Sequence, residues 1–128
     1  MRIIFTIFLF ISFDAQSDVF IIPPSDDAQE RIQEALILAQ PGDEIHLISG
    51  VYKIEDGLSL DVDNILFSGE GHDKTILDFT DQMTGAQGLL VTSNEVMLKD
   101  FAIINTKGDG IKTIGSEGIY FINLRTEW

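Results

Sequence analysis

The chain has 128 residues, with 21 acidic against 8 basic side chains and a formal charge of −13 at pH 7. That charge excludes nucleic acid and heparin-like ligands as partners, because like charges repel over the whole surface. It has no cysteine, which rules out a disulfide framework, thiolate-bound metal and thiol catalysis.

Residues 1–17, MRIIFTIFLFISFDAQS, open on Arg2, continue through an apolar run from Ile3 to Phe13, and leave through the small residues Ala15 and Ser17. This is the pattern of a signal peptide, and the run is too short to cross a bilayer. The expectation is export to the periplasm or the extracellular space, cleavage near Ser17, and no membrane span afterwards.

Residues 18–43 read as an extended lead-in followed by a helix. Pro23-Pro24 forbids helix at that point. Asp27-x-x-Glu30 has capping-box spacing, and Ala28, Ile32, Ala35, Leu36 and Ala39 fall on one helical face before Pro41-Gly42 ends the run. The spacing predicts a helix over 27–40 that covers the open end of the strand region beginning at residue 44.

Residues 44–128 alternate short apolar–polar runs with Gly, Asn, Asp and Ser, which is strand patterning. Ile45 and Leu47, Leu58 to Val62, Ile65 to Ser68, Thr75 to Phe79, Leu89 to Thr92, Val96 to Lys99, Phe101 to Ile104 and Ile111 to Ile114 are expected strands. The segment EVMLKDFAIINT aligns with EGIYFINLRTEW, so that Val96 matches Ile119, Leu98 matches Phe121 and Phe101 matches Leu124, each shifted by 23 residues. A longer series, Val51, Ile76, Phe101 and Leu124, steps by 25, 25 and 23 and is read as one repeating apolar position. Repetition at this period is the mark of a solenoid. The predicted fold class is therefore all-β, a right-handed parallel β-helix with an N-terminal capping helix. Leu98 and Phe121 should then be stacked inward residues of adjacent rungs, and Phe121→Ala should cost about 3–5 kcal/mol. Asp100 and Asn123 precede the last apolar position of each unit and are read as structural turns, because Asn and Asp tolerate the left-handed backbone.

With those residues in place, IQEALILAQPGDEIHLISGVY, DKTILDF and GDGIK resemble exported β-helix proteins of the pectin-lyase-like superfamily, over residues 21–128. The resemblance implies further coils after Trp128, so the chain is expected to be the N-terminal part of a longer, truncated solenoid. It also implies carbohydrate as the partner, either a polysaccharide or a cell-envelope glycan, with the substrate groove on the outward positions of the first strand of each coil. The groove candidates are Asp61, Asp109 and Lys112. Asp109 is also the one match to a calcium-ligating Asp-Gly-Asp segment, in which Lys107 stands where a second carboxylate is needed; Ca²⁺ would be the implied ion. Tight turn is the plainer reading of KGDG. The Asp-Pro-His-Asp signature of alginate epimerases is missing. His46 reads as the solvent side of a strand, and His72 as part of the GEGHDK turn. No catalytic constellation emerges. Two functions stay open: a non-catalytic carbohydrate-binding or envelope-associated scaffold, or the front part of a polysaccharide lyase or epimerase with its catalytic residues elsewhere. Oligomeric state is not legible.

Overall fold

The computed structural model describes residues 6–7 and 16–128. Most of the signal segment read over residues 1–17 lies outside the described residues. The order among these is β1 (Val19–Ile22), α1 (Ala28–Leu38), β2 (Glu44–Leu47), β3 (Gly50–Lys53), β4 (Leu58–Leu60), β5 (Leu66–Ser68), β6 (Thr75–Asp78), β7 (Gln87–Val91), β8 (Met97–Ile104), β9 (Asp109–Thr113) and β10 (Tyr120–Glu127). Every strand pair is parallel. Seven strands form one sheet, in the path β1-β2-β5-β8-β6-β3, and β10 also pairs with β8; β4, β7 and β9 form a second, three-stranded sheet.

This corrects the expected all-β, right-handed solenoid. The fold is mixed α/β: parallel sheets curled into a half-barrel, with one helix packed on them. The segments 96–99 and 101–104, expected as separate strands on separate faces, form the continuous strand β8, which pairs with β5 through its first half and β6 through its second. The two arms are thereby one bent sheet. The helix packs against β1, β3 and β4, the terminal strands of the two sheets, and so covers their open end as expected, while its buried face joins the core. Ala28, Ile32, Ala35 and Leu36, at helical spacing, are buried in the same cluster as Ile45, Phe67 and Leu98. Two glutamines on α1 bind it to the strands. Gln33 pairs both its amide groups with the backbone of Ser59, donating through Nε2 (3.2 Å) and accepting through Oε1 (3.0 Å). Gln29 Oε1 accepts from the amides of Glu55 and Asp56, both at 3.1 Å. The expected capping box is absent: Asp27 makes no side-chain bond to the helix, and instead accepts from the Ser25 hydroxyl at 2.6 Å.

Registers decide which residues fill the interior. Phe20, Ile45, Phe67, Leu98 and Phe121 lie in one row across the sheet. Phe67 meets Phe101 edge to face, with ring centres 5.2 Å apart. Each such side chain, when fully buried, contributes about 1.5–3 kcal/mol. Leu98 and Phe101 do pair with Phe121 and Leu124. The earlier part of the apolar series was one residue out. Val51 is 53% exposed while Tyr52 is 0% exposed, and Ile76 pairs with Ala102 rather than Phe101. The inward row in that arm is Tyr52, Leu77 and Ile103.

Candidate functional site

The outer face of the strands β1-β2-β5-β8-β10 carries the densest group of polar side chains that touch one another. Register sets it out in two rows, Val19, Glu44, Leu66, Met97 and Tyr120, and Ile21, His46, Ser68, Lys99 and Ile122. Alternation along β2 places Glu44 and His46 on that face with Ile45 beneath them, and β5 brings Ser68 beside His46. The Ser68 hydroxyl lies 2.9 Å from Glu44 Oε1 and 2.8 Å from His46 Nδ1. If its proton is given to Glu44, His46 must donate from Nδ1, which leaves Nε2 facing Glu70 Oε1 at 3.9 Å. Glu70, at the start of the loop after β5, also accepts from the Ser49 amide at 3.0 Å.

This Glu–Ser–His–Glu set has the residue types of a hydrolase triad without its working order. A nucleophilic serine must pass its proton to the imidazole and be open to substrate. Here Ser68 is only 5% exposed and bonded on both sides, so it joins β2 to β5. The Ser49 amide, a possible oxyanion donor, is already taken by Glu70. The arrangement fixes strands and the 69–74 loop, and offers no attack route.

The same economy holds elsewhere. Asp61 Oδ1 accepts from the Thr92 hydroxyl at 2.8 Å, across from β4 to β7. Asp63 accepts from the Asn94 amide at 2.8 Å, and Asn94 Oδ1 from the Glu117 amide at 2.9 Å. Asp78 accepts from Thr80, by hydroxyl and amide, and from Asn105. Burial alone would raise the Asp78 carboxyl, but those hydrogen bonds and the Lys53 charge hold it below its ordinary value. Asn123 Nδ2 donates to Asp100 Oδ1.

The groove candidates are not brought together. Asp109 and Lys112 are exposed on β9, opposite Gln87 and Leu90. Asp61 follows Leu60, level with the far end of β9, and so stands five residues further along the strand direction than Asp109, about 16 Å at 3.3 Å per residue. A calcium ion needs six to eight oxygens. Asp109 has no companions for it: among the described residues, no three His, Cys, Asp or Glu side chains are placed to hold a metal. The residues do not fit the ion. His72 sits in the 69–74 loop, where its carbonyl accepts from Arg125 Nε at 3.2 Å and its buried Nδ1 has no partner among the described residues.

Sequence reading missed Glu44, Ser68 and Glu70. The one available signal was the 22-residue step from His46 to Ser68, which is the register of β2 on β5. Among the described residues, no helix is long and apolar enough to cross a membrane. No protein-family model, curated protein or solved structure matches this chain.

Proposed function

We propose that this chain is a non-catalytic scaffold that binds carbohydrate or associates with the cell envelope. One observation carries the reading: the polar side chains on the outer faces form hydrogen bonds with neighbouring strands, as in Asp61–Thr92, Glu44–Ser68–His46 and Asp100–Asn123. Catalytic groups are held ready for a substrate; these are tied to each other. Sheet faces with their own hydrogen bonds satisfied suit contact with an extended polymer. The formal charge of −13 favours neutral glycans over polyuronates, which it repels. The envelope part of the reading rests on the leader sequence of residues 1–17.

The test is a binding screen of purified chain against neutral and acidic polysaccharides, run with lyase and hydrolase assays on the same polymers. Retention on a neutral glycan without turnover is the expected result. Turnover of any polymer, lost on Asp109→Ala or His46→Ala, overturns the scaffold reading in favour of an enzyme. Failure to bind any glycan removes the carbohydrate half and leaves envelope association, checked by fractionating cells that express the chain.

A further inference from the structure

Both histidines of the chain bear on the 69–74 loop, His72 as one of its members and His46 through Glu70. That loop joins strands from both arms of the sheet. The Gly69 and Gly71 amides donate to the carbonyls of Lys99 and Asp100 on β8. The Gly50 amide, at the start of β3, donates to the Lys74 carbonyl, and Arg125 on β10 donates to the His72 carbonyl.

The hydrogen bonds around His46 fix where its protons sit. Ser68 Oγ lies 2.9 Å from Glu44 Oε1 and 2.8 Å from His46 Nδ1, and it has a single proton to give. A carboxylate only accepts, so that proton goes to Glu44; otherwise two lone pairs would meet. Ser68 then accepts from His46, which puts the proton of the neutral imidazole on Nδ1. The lone pair is left on Nε2, and it faces the Glu70 carboxylate at 3.9 Å. In this state the two repel.

We propose that His46 is a proton-operated switch for the 69–74 loop. A second proton, on Nε2, turns the repulsion from Glu70 into a charge-assisted hydrogen bond and draws the loop onto β2. Imidazole is the side chain whose charge ordinarily changes between about pH 5 and pH 8. Bonds of this kind close to about 2.7–2.9 Å, so Glu70 moves towards the sheet by about an ångström. Its Oε1 can keep the Ser49 amide through the other lone pair. The other neighbours do not compete for Nε2. On β2 itself Glu44 lies 3.7 Å from Nδ1, on β1 the row presents the uncharged Ile21, and on β5 it presents Ser68. Lys99 of β8 stands beyond Ser68, with its Nζ 3.9 Å from Asp100 Oδ2.

Two measurements on the purified chain test this. Long-range nitrogen–proton NMR at mildly alkaline pH reads the tautomer of His46. The Nδ1–H form is expected, and an Nε2–H imidazole overturns the proposal. Hydrogen exchange then follows the Ser49 and Gly71 amides from mildly alkaline to mildly acidic pH, as protection factors, so that the intrinsic pH dependence cancels. His46 and Glu70 are partly exposed, so acid should raise protection by about two- to fivefold. Glu70→Gln keeps an oxygen for the Ser49 amide and removes the charge, and its protection should not respond to pH. His72→Gln removes the other imidazole of the loop and should keep the parent's response. A flat profile in the parent chain overturns the switch. So does a response that survives Glu70→Gln or is lost in His72→Gln.

Discussion

Asn123 donates from Nδ2 to Asp100 Oδ1 at 2.7 Å, and both residues hold the left-handed backbone, at φ of 50° and 60°. One side-chain bond thus ties the bend of β8 to the bend of β10, at the point where each strand passes from one arm of the sheet to the other.

Asn123→Ala should remove the bond and also force a Cβ-bearing residue without a polar side chain into the left-handed region. The expected loss is about 1–2 kcal/mol. Asn123→Gly loses only the bond and should cost less. Chemical denaturation of both variants checks the order; if Gly is the more damaging of the two, the backbone is not what Asn123 supplies.

Leu98→Ala should cost about 2–5 kcal/mol, as for other fully buried leucines. Phe121→Ala, at a site 54% exposed, should cost less than half as much. The sequence expectation put Phe121→Ala at about 3–5 kcal/mol. Equilibrium denaturation of the two variants separates them.

Gly69 has an ordinary φ, but a Cβ there would press on the Asp100 carbonyl and sit 2.7 Å from Thr75 Cβ. Both are backbone or β-branched neighbours with little room to yield. Gly69→Ala should therefore destabilise by about 1–3 kcal/mol. A neutral result in thermal melts would mean that β8 and the loop after β5 can separate without loss.

Stability should fall at both ends of the pH scale. Burial, then the charge of Glu70, pushes the Tyr52 phenol up from 10.0 to about 12. A raised folded value contributes stability that is complete below pH 10 and lost as pH rises through about 12. Asp78 is depressed, so its contribution is present above its ordinary value of 3.8 and lost as pH falls through the lower folded one. Tyr52→Phe should abolish the alkaline loss. It should also cost about 1–2 kcal/mol at neutral pH, because the hydroxyl sits 2.7 and 2.6 Å from the carbonyls of Ile22 and Ile48. Urea melts from neutral to strongly alkaline pH, followed for both proteins, check it.

Strand positions and the pairing of Leu98 with Phe121 were legible because both units repeat the same alternation around an Asp or Asn. Val51 was not. Val51 and Tyr52 are adjacent and both strand-forming, and a one-residue slip exchanges the two faces of a strand. Hydropathy favours Val inward, but Tyr52 reaches two carbonyls from inside, and that contact is invisible in a linear chain. The half-barrel was missed for a related reason. Asp100 looks like a break between strands, whereas its left-handed backbone turns β8 without ending it. The Glu44–Ser68–His46 set was illegible because its members are individually ordinary and meet only through register.

β8 is the keystone of the sheet. It is hydrogen-bonded to β5, β6 and β10, so it belongs to both arms at once. Neither arm can detach alone without breaking bonds to this one strand. Heat or denaturant should then find a single cooperative unit rather than two, and the amides of Leu98 to Ile103 should be the last to exchange with solvent.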